Sequence, residues 1–165
     1  MVVGNGDIAS VLKDRDDVTF FVSGVSNSRE TSRKEFAREI DLLMDQPRLR
    51  HLIYISTLSV YYSDTPYVKH KKHMEGLIKT NFRSYTIFRI GNITWGDNPS
   101  TLINYLKNNP DAVIQPVYRY LLSREEFTHW VGMAPVGEKH EMNITGKCVF
   151  VPELAEDIKA SYGIR

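Results

Sequence analysis

The chain has 165 residues, 42% hydrophobic and 25% charged, with a formal net charge of +1. That size buries a real core within one domain, and that balance is globular and soluble, with no global pull toward nucleic acid or a membrane surface. No window approaches the length of a membrane span, Met1 leads straight into Val2-Val3-Gly4, and the one cysteine, Cys148, excludes an internal disulfide and a cysteine-built metal cluster; a cytoplasmic protein without a signal peptide, metal, membrane or nucleic-acid partner is expected.

Residues 1–9 read as a short strand that turns into a helix through Gly4-Asn5-Gly6-Asp7-Ile8-Ala9, a Gly-x-Gly-x-x-Ala pattern. Glycines there allow a tight turn and a close approach of a diphosphate to the backbone, with the helix N-terminus supplying N–H donors. A plain glycine turn is the alternative, and Asp7, if it faced the phosphates, would repel them. A short helix over 8–13 and the charged turn Asp14-Arg15-Asp16-Asp17 lead to a buried strand, 18–22, which exits through Ser23-Gly24-Val25-Ser26-Asn27-Ser28. Thr31 or Ser32 caps the next helix, and Ser32 with Glu35 makes a capping box. Phe36, Ile40, Leu43 and Met44 recur at helical spacing, forming a face for the sheet or for a second copy of the chain, and Pro47 ends the helix.

Residues 52–55, Leu-Ile-Tyr-Ile, form a short apolar run suited to a strand covered on both faces, ending in Ser56-Thr57. Thr65-Pro66 then supplies an N-cap and a proline in the first turn of a helix running to about Asn81. Tyr67 and Lys71, four apart, share one face of it. A phenol is a weak base near neutrality unless a neighbouring ammonium or the positive end of a helix favours its anion, and Lys71 and the helix start offer both. Thr57, at the carboxyl end of the strand, would orient a substrate oxygen while Tyr67 moves its proton. With nine tyrosines in the chain the spacing alone is common, and a solvated, lysine-rich helix is the alternative. His70 and His73 stand three apart without a carboxylate or cysteine to complete a metal site, so they read as part of a solvated basic face.

Residues 84–90 are a third good strand, running into Gly91-Asn92-Ile93-Thr94-Trp95-Gly96. A helix over 101–107 is broken by Asn108-Asn109-Pro110. Gln115 to Phe127 carries Arg119, whose planar fork of donors suits a diphosphate, or which pairs with Glu125 or Glu126 at the surface. Glu141 to Gly146 and Val149 to Ile158 close the chain, and Pro152, Leu154, Ala155 and Ile158 mark a docked C-terminal helix.

These motifs together resemble the extended short-chain dehydrogenase/reductase family, the NAD-dependent nucleotide-sugar epimerases and dehydratases. The resemblance rests on Ser56-Thr57-Leu58-Ser59-Val60-Tyr61, on Tyr67 and Lys71, and on Arg89, Gly91, Asn92 and Gly96, with Trp95 in place of the usual tyrosine. It extends to Arg119 and to the closing strand and helix. It implies an α/β, abbreviated Rossmann-like parallel sheet, with 1–96 as the dinucleotide-binding core and 97–165 as a substrate-side segment packed on it. It also implies Thr57, Tyr67 and Lys71 as a catalytic triad, with Gly4, Asn5, Gly6, Ile8, Ser23, Gly24, Ser56 and Lys71 at NAD or NADP, and Asn92 and Arg119 on a sugar or nucleotide sugar. Relatives often dimerise through the two helices flanking the central strand, so a homodimer is implied too.

The departure from that family lies near the start. No acidic residue ends the strand at Val22, where one would accept the adenosine ribose. Taken as the family's fourth strand, 18–22 leaves strands two and three missing and shortens the order 3-2-1-4-5-6 to 1-4-5-6. The competing alignment makes 18–22 the second strand, with Ser26, Ser28 and Arg29 facing the 2′-phosphate of NADP. The expected activity is oxidation or reduction of a sugar carbon; the alternative is a non-catalytic relative that binds sugar nucleotides or regulates a partner.

Overall fold

Apolar runs rich in β-branched and aromatic residues build the centre of the molecule, and capped amphipathic segments cover it. The computed structural model describes residues 1–163. In chain order they form β1 (Val2–Val3), β2 (Val18–Phe21), α1 (Arg33–Met44), β3 (His51–Thr57), α2 (Pro66–Asn81), β4 (Tyr85–Ile90) and β5 (Asn92–Ile93). There follow α3 (Leu102–Asn108), β6 (Tyr118–Leu122), α4 (Arg124–Gly132), β7 (Lys139–Ile144), β8 (Lys147–Phe150) and α5 (Val151–Tyr162). The main sheet has the order β1-β2-β3-β4-β7 with every pair parallel, so all its carboxyl ends lie along one edge. A smaller sheet joins β5 parallel to β6 and β6 antiparallel to β8. The segment after residue 96 therefore supplies both the last strand of the main sheet and most of the small one.

Helix starts follow the capping chemistry of the sequence. Thr65 Oγ1 accepts from the Val68 N–H with Pro66 in the first turn, and Ser123 Oγ accepts from Glu126 N–H. Ser32 accepts from Glu35 N–H, but the reciprocal half of the expected capping box is absent: Glu35 pairs with Arg38, and the Ser32 N–H is taken by Glu30. No described helix is long and apolar enough to cross a membrane.

Alternation along the strands divides the core between two faces. Leu52, Tyr54 and Ile87 pack on one face beneath Leu43 of α1 and Met74 and Ile78 of α2. Phe20, Ile53, Ile55 and Phe88 pack on the other, against Phe127 and Val131 of α4 and against Ile8, Val11 and Leu12. Leu43 is thus fully buried in its own chain and not available to a second copy. The helix expected over 8–13 is a single 3₁₀ turn, Ala9–Val11. The charged turn at 14–17 leaves too few residues to offset the cost of nucleating an α-helix.

This short turn decides between the two alignments. The steps from β1 to β2 and from β2 to β3 go the same way across the sheet, yet the first connection runs over the α4 face and the second, through α1, over the opposite face. Connections on opposite faces have opposite hands. The link through residues 4–17 therefore has the opposite hand to the connections through α1 and α2, which share one face. Were 18–22 the second strand of a dinucleotide fold, the 3₁₀ turn and α1 would share a face; that alignment, and with it the roles of Ser26, Ser28 and Arg29 at a 2′-phosphate, is overturned. In the full order 3-2-1-4-5-6 the helices after strands one and four lie on opposite faces, as here, so β2 occupies the fourth position and β1 is an edge.

Candidate functional site

Because the main sheet is parallel, the turns leaving β1, β2, β3 and β4 meet at one edge, where they enclose a cleft of about 700 Å³. Asn5, Gly6 and Ile8 line it from β1, and Ser23 and Gly24 from β2. Ser56 and Thr57 line it from β3, Tyr67 and Lys71 from the first turns of α2, and Asn92 from β5. Ten of the predicted positions therefore converge, and two do not. Gly4, at φ +139°, is pressed against the Val22 backbone, where a Cβ would come within 2.7 Å of the carbonyl oxygen, so its task is the turn itself. Arg119 lies in a neighbouring cleft.

Within the cleft, Thr57 Oγ1 accepts from Ser59 N–H at 3.1 Å and caps the 3₁₀ turn Leu58–Tyr61, which fixes where its hydroxyl points. Ser56 lines the cleft, but its hydroxyl donates to Glu75 at 2.6 Å and so faces away from any ligand. Tyr67 is 9% exposed, with Lys71 Nζ 5.8 Å from the centre of its ring. Burial raises the proton affinity of this phenol; Lys71 opposes that and Glu39 adds to it, and the net result is a pKa above the ordinary tyrosine value. Tyr67 is accordingly a protonated phenol at neutral pH.

Glu39, which sequence reasoning did not single out, is completely buried beneath the cleft. Its Oε1 accepts from the Tyr54 hydroxyl at 3.0 Å and from Lys71 Nζ at 3.5 Å; its Oε2 accepts from Val25 N–H at 2.9 Å and meets His70 Nε2 at 2.8 Å. Burial alone would push this carboxyl up, but Lys71, His70 and the Val25 N–H outweigh it and hold the pKa at about 2. An ionised carboxylate only accepts, so His70 Nε2 carries a proton. Lys71 Nζ also donates to Tyr54 Oη at 3.1 Å. His70 is thus a buried partner of Glu39, stacked on Phe36 with ring centres 4.3 Å apart, and not part of a solvated face; His73 alone is exposed. Glu39 falls on the stripe of Phe36, Ile40 and Leu43, and an acid on an apolar stripe was the signal that could have found it. Among the described residues no three His, Cys, Asp or Glu side chains gather to hold a metal.

Arg89 turns away from the cleft. It bonds Glu75 and Glu141 and reaches the Tyr61 hydroxyl, tying α2, β4 and β7 together. Asp7, which would repel phosphates if it faced them, lines the cleft with its carboxylate accepting from Asp97 N–H and Asn98 N–H, while its carbonyl accepts from Trp95 Nε1. Its charge is consequently bound to another loop. A second cleft, of about 590 Å³, opens beside the first, and Tyr67 and Asn92 line both. Arg29 and Arg119 line it, their guanidiniums lying over Tyr105 and Tyr62 at 4.3 and 4.9 Å from the ring centres. Neither makes an ion pair among the described residues, so the alternative pairing of Arg119 with Glu125 or Glu126 does not form.

No protein-family model and no curated protein sequence matches the chain. Solved structures do. It superposes on the Bordetella bronchiseptica enzyme WbmG in complex with NAD and UDP, with a TM-score of 0.68 and 12% identity over 89% of this chain and 56% of that one. DesIV, the dTDP-glucose 4,6-dehydratase of Streptomyces venezuelae, solved with NAD bound, gives 0.65 and 16% identity over 90% and 58%. A UDP-galactose 4-epimerase gives 0.63 and 14% over 92% and 64%. The chain shares their fold. It spans less than two thirds of each of these proteins. In the order 3-2-1-4 two further strands would stand where residues 4–17 lead directly from β1 to β2.

Proposed function

We propose that this chain is an NAD(P)-dependent oxidoreductase, epimerase or dehydratase acting on a sugar or nucleotide sugar. The observation that carries the reading is the convergence of Thr57, Tyr67 and Lys71 with the glycine turn in one cleft at the carboxyl edge of a parallel sheet. The nicotinamide half of a dinucleotide would be held there by Lys71, at its ribose, and Gly24, where a Cβ would lie 2.8 Å from Glu39 Oε1 and 2.9 Å from Lys71 Nζ, leaves the floor clear of a side chain. The bound dinucleotide would give or take the hydride at a sugar carbon. Thr57 orients the oxygen on that carbon. Tyr67, held protonated by burial, supplies a proton to that oxygen when a carbonyl is reduced, and takes one back in the reverse direction. Arg29 and Arg119, both uncommitted to carboxylates, suit the diphosphate of a nucleotide sugar, with Asn92 between the two clefts.

A second reading, a binder or regulator without turnover, is favoured by one observation: β1 is the sheet edge, so an adenosine would find no neighbouring strand. Dimerisation through exposed parts of α1 and α2 is compatible with either reading. Calorimetric titration with NAD⁺, NADH, NADP⁺ and NADPH tests the choice. Micromolar binding of any one supports the enzyme, and Tyr67→Phe should then abolish hydride transfer while leaving that affinity within about twofold. Binding of none of the four, together with binding of UDP-glucose or dTDP-glucose, selects the binder. A variant Tyr67→Phe with full turnover would overturn the triad.

A further inference from the structure

A completely buried carboxylate beside the lysine of a reaction site needs a reason, because an ion pair taken out of water is seldom the cheapest way to fill space. Glu39 approaches from α1, whereas Lys71 and Tyr67 belong to α2, so packing of the two helices does not by itself require charge at this position. Its carboxylate is held from two sides, by the Val25 N–H in the turn after β2 and by His70 Nε2, and presents Oε1 to Lys71 and to the Tyr54 hydroxyl. Tyr54 in turn accepts from Lys71 at 3.1 Å, closing a triangle of Glu39, Tyr54 and Lys71 under the cleft floor. Gly24 roofs it without a side chain. The ammonium is therefore moored to α1 and β3 and faces Tyr67 from a fixed point.

We propose that Glu39 is a positioning residue for the Tyr67–Lys71 pair: its carboxylate moors the Lys71 ammonium and counters its charge, so that the ammonium draws the Tyr67 phenol less strongly toward its anion. This rests on reading Tyr67 and Lys71 as the reacting pair. The charged and titratable groups facing Tyr67 are Lys71 on α2, Glu39 on α1 and Tyr62 after β3; His70 reaches it only through Glu39. Burial already favours the phenol, and with the ammonium countered by a carboxylate Tyr67 is set up to donate. An ammonium without that partner would pull it toward the phenolate.

The test is titration of Tyr67 in the intact, ligand-free chain. With tyrosine labelled at Cζ and the Tyr67 signal assigned by Tyr67→Phe, the midpoint is followed by NMR from about pH 7 to about pH 12. In Glu39→Gln the proton affinity of Tyr67 should fall about tenfold. Glu39→Asp, which keeps the charge but draws it back from Lys71, should move it the same way by less. Tyr54→Phe keeps both charges and should give a smaller change than Glu39→Gln. An unchanged or higher midpoint in folded Glu39→Gln overturns the proposal, as does a Tyr54→Phe effect equal to that of Glu39→Gln, which would make the role one of packing. If Glu39→Gln does not fold, Glu39→Asp decides, and an unmoved midpoint there overturns it. No cofactor or substrate enters this measurement, so a chain that binds no dinucleotide would lose the enzyme reading while the titration is judged separately.

Discussion

Glu39 should leave a mark on acid stability that can be worked out in advance. Its pKa is about 2 in the folded chain against an ordinary 4.5. As pH falls, the unfolded chain therefore binds the proton first. The stabilisation is complete above the unfolded value, near pH 5 and higher, and is lost as pH drops from there through the folded value near 2. At ~1.36 kcal/mol for each tenfold change in proton affinity, the contribution is about 3 kcal/mol. The side chain has no solvent exposure, so screening does little to reduce it. Urea denaturation at steps from pH 7 to pH 2, on the wild type and on Glu39→Gln/Lys71→Met, isolates this share. The double variant removes both charges, so it leaves no orphaned ammonium, and replacing a buried pair by uncharged groups is often close to neutral near pH 7. The wild type should lose about 3 kcal/mol more than the double variant between pH 5 and pH 2. Parallel curves would refute the reasoning, because they would mean that the carboxylate gains nothing from its four partners.

Other positions give sharp expectations. Gly24→Ala would put a Cβ within 3 Å of both Glu39 Oε1 and Lys71 Nζ, so it should lower stability by about 1–3 kcal/mol and shrink the cleft, as read by denaturation and by loss of nucleotide affinity. Gly96, at φ +86°, lies against the Asp7 carboxyl; Gly96→Ala should break the Asp7 bonds to Asp97 and Asn98 and cost at least ~1 kcal/mol, and an unchanged unfolding midpoint would contradict this. His51 accepts the Gly137 N–H at Nδ1, which leaves Nε2–H to donate to Thr86, and burial holds its pKa below the ordinary value. The unfolded chain then takes a proton first, so stability is full above about pH 6.5 and falls as pH drops below it. His51→Gln should flatten that slope, and an unaltered slope would refute it.

The strands were legible because each is a short apolar run bounded by polar turns: 52–55 sits inside β3, 84–90 gives β4, and 18–22 gives β2. Thr65-Pro66 marked the start of α2 to the residue, since a cap is local chemistry. The convergence of Thr57, Tyr67, Lys71 and the glycine turn was legible through the parallel order, which the spacing of strand and helix implies. The helix at 8–13 was misread because its pattern is helical while its length is too short to nucleate. His70 was misread because its neighbours Lys69, Lys72 and His73 suggest a wet face, whereas its own turn of α2 points at Glu39. Glu39 stayed hidden for the reciprocal reason, sitting among Arg33, Lys34, Glu35 and Arg38 in a helix that reads as charged. The face each residue takes depends on the crossing of α1 and α2, and no window of sequence contains both.

Trp95 donates to the Asp7 carbonyl, and its ring centre lies 5.3 Å from that of Phe127. The chain has two tryptophans, and the other, Trp130, is 40% exposed on α4. The indole of Trp95 is thus a built-in optical gauge wired to the glycine turn by a single hydrogen bond. With Trp130 replaced by phenylalanine, its emission alone would report whether that turn shifts when the cleft is filled, with no dye and no turnover required.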